Sequence, residues 1–439
     1  MANLQAIAKQ ACNEAMRAGA QFADVGLSRG KSLSIELERG RIKSSDARWG
    51  SGCSVRAIIN GAVGWSSAPG ADLDAALQAA RLAVELAEVA DPDPDFRQLP
   101  GPASGPDVGP TADPRVAQLT IGDLVDFCLM NVESAQEVEP SVVVSGGAST
   151  GWDESVLVNS CGVDLYREST SVNASVQAII RRGDDVGSFY DYDVARFLED
   201  FVPEGLGAKA AKEALSCLNA RKIGSGVMTV VLGPLASPSL AGSVCYAAVA
   251  EEVQRSRSFL AGKLGQRIAS EHVTLIDNPL IPRGLATSAF DGEGVPRKPL
   301  TIVESGVLRS YLHDTYTAGK AGVESTGHST RGGISPTNVI PKLGTMTAAE
   351  IIAGVEDGLY LNDSFAYPNM VTGDLSTTVE FGFRIEGGKL TYPVKNTMFG
   401  ANLLDMLMNL DAVSSDYREE PGRIMPTVRV HNVRVAGGA

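Results

Sequence analysis

Cysteine is scarce in this 439-residue chain, and its spacing forms no pattern. Cys12, Cys53, Cys128, Cys161, Cys217 and Cys245 are scattered, with no CxxC pair. That excludes a zinc ribbon or a disulfide framework and suits reduced thiols in a cytoplasmic protein. Cationic residues are also few: 38 Lys and Arg stand against 52 Asp and Glu, for a net charge of −14. Phosphate-backbone binding rests on clustered cations, so no direct nucleic-acid partner is expected. No apolar run approaches bilayer-spanning length, and the N-terminus lacks the basic and apolar regions of a secretory signal, so no membrane partner is expected either. Histidine is nearly absent. His272, His313, His328 and His431 are dispersed, and no pair shares one element at ligand spacing.

The length suits two domains, each large enough to bury a core. Residues 3–18 carry apolar positions at helical spacing, stopped by Gly19. From Ala23 to Ser67 the period is that of strands. Turn signals at Glu38-Arg39-Gly40-Arg41 and Asn60-Gly61 predict a meander of three or four antiparallel strands. Trp49 and Trp65 are expected to pack on a sheet face. Asp72 can cap a helix over Leu73–Val89, with Leu73, Leu77, Leu82 and Leu86 as its apolar positions. Residues 91–114 hold seven prolines, which predicts an extended surface connector. Another helix follows Thr120.

Val142–Tyr192 is strand-rich again, with turns expected at Gly146-Gly147, Ser160-Cys161-Gly162 and Arg182-Gly183-Asp184. Gly147-Ala148-Ser149-Thr150-Gly151 matches G-x-S-x-G. A nucleophile elbow needs a helix after the serine, however, and Trp152–Asn159 reads as a strand, so Ser149 is expected in a turn. A helix over Glu204–Leu218 leads to the strand Val227–Leu232. The fold class is therefore α+β: an N-terminal helix-plus-antiparallel-sheet domain, 1–220, and a C-terminal β-rich domain, 221–439.

The densest set of polar and turn-forming residues lies in Phe290–Gly333. Asp291-Gly292-Glu293-Gly294 is an acidic turn, either an acid–base dyad or carboxylates bonded to nearby backbone N–H groups. A hairpin is expected around Ser305-Gly306, then a short helix from Asp314 to Gly322. His313 and His328 are the histidines of this stretch. They read more readily as hydrogen-bonded structural groups than as metal ligands. Cys245, on an apolar helix face, reads as buried and inert.

Several of these strings, in order, resemble the TldD/PmbA family: FDGEGVP, GVLRSYLHDTYTAGKAG and STGH, then Val371-Thr372-Gly373-Asp374, Ile385–Lys389 with Tyr392-Pro393-Val394, and PTVRVHNVRVAGG from Pro426 to Gly438. Members of that family were first labelled modulators of DNA gyrase and later understood as a proteolytic system. STGH is similar to the PmbA, or TldE, branch. In the TldD branch the helix after a VVLGP-like strand carries HExxxH, and a cysteine near the C-terminus completes the zinc site. The matching window here, Ser239–Ser258, has no histidine, and Ala241 and Tyr246 fall near the ligand slots. The last cysteine in the chain is Cys245. The resemblance implies a subunit without its own zinc, paired with a TldD-type metallopeptidase that carries the zinc, together admitting unfolded peptide. It further implies a homodimer when the chain is alone. Asp291, Glu293, His313, His328 and Arg331 are the candidates for the peptide path, with Arg331 available for a peptide carboxylate or carbonyl. An independent hydrolase or a non-enzymatic peptide-binding scaffold are the alternatives.

Overall fold

A computed structural model describes residues 3–96, 98–363 and 366–438. Helix α1 (Leu4–Arg17) starts at Asn3, whose side chain accepts from the Ala6 N–H. The meander follows as β1 (Phe22–Glu38), β2 (Arg41–Ile59) and β3 (Ala62–Pro69). Its turns are at the expected places, and Arg39, Gly40, Asn60 and Gly61 all have positive φ, as tight hairpins require. Helix α2 (Leu73–Val89) is capped by Asp72. Beyond the proline-rich segment come α3 (Pro114–Ala117) and α4 (Ile121–Val138), the latter closed by a Thr120/Asp123 capping box. Strands β4 (Val143–Asn159), β5 (Asp164–Arg182) and β6 (Asp185–Ala195) complete one antiparallel sheet, ordered β3-β2-β1-β4-β5-β6, before α5 (Leu206–Ser216).

Strict alternation gives this sheet two unlike faces. Val25, Leu27, Leu33 and Ile35 of β1, and Val172, Ala174 and Val176 of β5, are buried with the helices. In register on the other face are Asp24 and Ser28 of β1, Ser54 and Arg56 of β2, and Ser155 of β4. Arg167, Ser171 and Asn173 of β5, with Tyr192 of β6, continue that polar face. It is the face that meets the C-terminal half.

Four expectations need correcting. Gly146-Gly147 is not a turn: β4 runs through it, paired to β1 on one side and β5 on the other. Ser149 therefore sits mid-strand, opposite Ser34 and Asn173. On α2, Leu82 and Leu86 are exposed, and the buried stripe is Ala76, Ala79, Ala80, Ala83, Val84 and Ala87. The helix lies too close to β3 for larger groups, since a Cβ on Gly64 would come within 1.9 Å of the Ala83 carbonyl oxygen. Trp49 is 75% exposed, because β2 is open on both faces around it. The proline-rich connector is more than a tether. Leu99 is buried, Pro100 accepts from Asn159, Thr111 donates to the Glu168 carbonyl, and Gly105 lies against the Phe290 ring.

The C-terminal half is mixed. Its strands are β7 (Gly226–Leu232), β8 (Leu275–Asp277), β9 (Leu300–Glu304), β10 (Val307–Leu308), β11 (Val339–Pro341), β12 (Asp357–Asp363), β13 (Asp374–Thr378), β14 (Phe381–Glu386), β15 (Lys389–Pro393), β16 (Thr397–Asn402), β17 (Leu410–Glu420) and β18 (Arg423–Gly437). Its helices are α6 (Pro238–Ala247), α7 (Ala250–Gln254), α8 (Thr315–Ala321), α9 (Ala348–Ala353) and α10 (Leu403–Met408). The larger sheet runs β13-β16-β18-β7-β12-β14-β15, with β17 on β18; a smaller one runs β10-β9-β8-β11. The fold is α+β. Among the described residues, no helix is long and apolar enough to cross a membrane.

Candidate functional site

The Phe290–Gly333 stretch folds back on the polar face of the N-terminal sheet. Asp291 holds its own loop: its carboxylate accepts the N–H groups of Glu293 (2.9 Å), Val295 (2.9 Å) and Ser329 (3.1 Å). Burial pushes this carboxyl up despite those bonds. A Cβ on Gly292 would lie 2.6 Å from the Arg331 nitrogen, so only glycine lets the two loops touch. Glu293 accepts from both Arg56 Nη atoms at 3.2 Å, and from the Thr315 N–H at 2.9 Å.

Arg331 crosses to the other half. Its Nη2 is 2.5 Å from Asp24 Oδ1, and its Nη1 donates to Ser54 Oγ at 2.6 Å. Asp24 also pairs with Arg56 at 2.6 Å. Burial alone would raise the Asp24 carboxyl, but Arg331 and Arg56 outweigh it and hold the group below the usual carboxylate range. The Trp65 ring lies beneath both cations, 5.1 Å from Arg331 and 5.9 Å from Arg56. Arg331 thus spends its donors inside the protein.

The two histidines sit deeper. His328 is fully buried, its Nδ1 2.9 Å from Thr326 Oγ1 and its Nε2 3.4 Å from Asp277 Oδ1. Burial would raise Asp277, yet His328 and Thr337 hold it low. His313 donates its backbone N–H to the same Thr326 hydroxyl at 2.7 Å, and burial pushes its imidazole down. The five candidates therefore divide: Glu293 and Arg331 join Asp24 and Arg56 across the halves, Asp291 holds the loop that carries Glu293, and His313 and His328 share Thr326 behind them. The signal for Asp24 was a carboxylate flanked by Ala23 and Val25 at a strand start. Its two cationic partners lie far away in the chain, which sequence spacing does not reveal.

A second joint lies at the far side of the sheet. Arg418 reaches Asp191 Oδ1 and the Tyr192 carbonyl oxygen, both at 2.5 Å, and its guanidinium is 4.8 Å from the Tyr192 ring. Lys209 takes Asp191 Oδ2 at 2.6 Å. Tyr190 and Tyr192 stack at 5.8 Å and wall a groove of about 670 Å³ that runs along α6.

This groove is the place to test for a metal. Its α6 wall offers Ser239, Ala241, Gly242, Ser243 and Tyr246, with an exposed His272 opposite. Cys245 is fully buried in the apolar core, and burial raises its thiol well above the ordinary value. Among the described residues, no three His, Cys, Asp or Glu groups are arranged to hold a metal ion. The groove does not fit a zinc ion. Its wall is mainly apolar, continued by Leu407, Leu410, Val413 and Met425.

A cavity of about 780 Å³ with a mixed lining lies between the halves, next to the Arg331 joint. Ser28, Ser54 and Ser155 form its sheet wall; Asp291 and Arg331 face them; Val108–Ala112 of the connector make a rim.

The antiparallel sheet, the loops folded back on its polar face and the groove along α6 together define a protein of two joined α+β halves. Three consecutive family profiles cover the chain: the PmbA/TldA metallopeptidase domain 1 over residues 23–87, the central domain over 114–218, and the C-terminal domain over 225–437. The chain belongs to the PmbA/TldD family. It is similar to the metalloprotease PmbA of Escherichia coli O157:H7, 24% identical over 94% of this chain and 92% of that one. Its fold is that of TldE from Thermococcus kodakarensis (TM-score 0.91, 23% identity, 98% of this chain and 100% of that chain). A proposed modulator of a DNA gyrase from Thermotoga maritima superposes as well, with a TM-score of 0.90 and 25% identity over 99% and 100% of the two chains.

Proposed function

We propose that this chain is the PmbA/TldE-type subunit, without its own zinc, of a cytoplasmic TldD-type metallopeptidase that cleaves unfolded or small polypeptides. The observation that carries this reading is the α6 wall of an apolar groove, which offers no His, Cys, Asp or Glu; Ala241 and Tyr246 lie near the positions where the resembled TldD branch carries its imidazoles. A helix face without donors cannot activate water, so the metal chemistry falls to a partner. This chain supplies binding surface: the groove along α6, and the inter-half cavity bordered by Asp291 and Arg331. In this arrangement Glu293, His313 and His328 act on the peptide path from behind, by holding those loops. Without its partner the chain pairs with a second copy, since a surface shaped for a homologous subunit accepts its own fold.

The test is reconstitution. Purified chain, alone and mixed with a TldD-type subunit carrying HExxxH, is assayed on an unfolded peptide. Cleavage should require the partner and be raised by this chain. Cleavage by this chain alone, or stoichiometric zinc that follows mutations in α6, overturns the reading. Light scattering that shows only monomer removes the homodimer part.

A further inference from the structure

Strand β2 has an edge that nothing covers. β3 pairs with it only over Gly52–Ile59, whereas β1 pairs with it from Arg41 to Ile58. Among the described residues, no other strand reaches the outer edge of β2 over residues 41–50. Every residue from Lys43 to Ser51 is exposed apart from Asp46, which is half-buried, and a Cβ on Gly50 would meet open space. Open backbone of this length is a ready template for another strand.

The direction of that backbone is set by two bonds. Ile58 turns its carbonyl toward β1, where it accepts the Gln21 N–H at 2.8 Å, and Ser51 turns its carbonyl the other way, to the Gly70 N–H at 3.0 Å. The register with β1 is unbroken from Ser44 to Ile58. Alternation along the strand therefore points the N–H and C=O groups of Ser45, Ala47 and Trp49 outward, into solvent. Asp46 and Arg48 lie on the polar face, in line with Ser54 and Arg56. Lys43 is engaged with Glu36 and Glu38 of β1, while Arg48 pairs with its own neighbour, its Nε 2.6 Å from Asp46 Oδ2. Trp49 is on the other face, opposite Lys31, whose Nζ is 5.5 Å from the ring.

We infer that this edge is where the chain pairs with a second copy, antiparallel and two-fold, with Ala47 opposite Ala47. A two-fold pairing keeps each sheet face on its own side, so it must be centred on a residue. Centred on Ala47, it bonds the outward groups of Ser45, Ala47 and Trp49 to those of the facing Trp49, Ala47 and Ser45. It also sets Asp46 of each copy opposite Arg48 of the other. Moving the centre by one residue sets Asp46 against Asp46 or Arg48 against Arg48, which like-charge repulsion disfavours. On the other face each Trp49 ring, 75% exposed in the single chain, covers the small Ser45 and Ala47 of the facing strand and leaves water. The six-stranded sheets of the two copies then run on as one. The inference supplies the surface for the self-pairing proposed above and rests on that part of the reading; the peptidase role is independent of it.

The test uses the full chain at micromolar concentration, with light scattering as the readout. The native chain should be dimeric. Asp46→Arg leaves only cations at the junction and Arg48→Asp only anions. Each variant alone should self-associate about tenfold more weakly or worse, with the circular dichroism of the folded chain retained. Mixing the two variants sets cation against anion again and should restore a dimer with one chain of each kind. A dimer that both charge variants keep lies on another surface: it overturns the inference and leaves the self-pairing of the proposed function standing. A native chain that is only monomeric overturns both, and the reconstituted cleavage assay still decides the peptidase role. Variants that stay monomeric when mixed overturn the register and with it the inference. Binding to a TldD-type subunit that is lost in these variants, with no self-association of the native chain, assigns the edge to that subunit and overturns the inference as well.

Discussion

The two joints between the halves and the cavity beside the first of them use the same side chain on the same sheet face, in opposite ways. At the first joint Arg56 and Arg331 share Asp24 and Glu293. At the second, Arg418 has Asp191 and the Tyr192 carbonyl. In the cavity wall Arg167 makes no ion pair among the described residues. A buried charge that is paired holds structure; one that is not is a cost the fold carries for another reason. The joints account for how the halves stay together. Arg167, on the cavity wall, does not serve that purpose.

Asp24→Ala should break the comparison most severely. It strands two arginines at once at a site only 3% exposed, and a loss of about 3–5 kcal/mol in urea unfolding is expected. The joint also has a pH signature. Because the Asp24 carboxyl is held low in the folded protein, its stabilisation is present above the unfolded carboxyl value, about 3.9, and is lost as pH falls through the lower folded value. Thermal melts of the native chain should therefore drop steeply below about pH 4, and Asp24→Ala should flatten that slope.

Arg418→Ala should cost less, about 1–3 kcal/mol, because Lys209 still reaches Asp191. A smaller effect still belongs to His313. Its imidazole is pushed down by burial, so the stability it contributes is present above the ordinary histidine value and disappears as pH falls through the folded one. His313→Gln should remove the mild loss in melting temperature on going from about pH 6.5 downward, with the slope below pH 4 retained. Arg167→Gln completes the series. Its stability change should be within about 0.5 kcal/mol, and a larger loss would make the cavity a third joint.

Local signals carried much of this architecture. The Asp72 and Thr120 caps, the Asn60-Gly61 turn and the Ser305-Gly306 hairpin are decided within a few residues, and each was legible. Gly146-Gly147 was not, because strand pairing on both sides overrode its turn composition. The α2 face misled for the same reason: four leucines suggested a core stripe, but the closeness of β3 decided for alanine. In the site, the acidic turn of Asp291 was legible as a backbone-bonded loop. Arg331 was not legible as a joint, since Asp24 lies more than 300 positions away in the chain and only the fold brings them together.

The connector over residues 91–114 has a consequence for the cavity it borders. Pro100, Pro102, Pro106 and Pro110 have no N–H to offer a neighbouring strand. A segment of ordinary composition in that place could zip onto the sheet and close the opening for good. This one is fastened instead at separate points, Asn159 to Pro100 and Thr111 to Glu168. It behaves as a hem rather than a seam: few stitches hold it, and lifting it sacrifices a handful of bonds instead of a ladder.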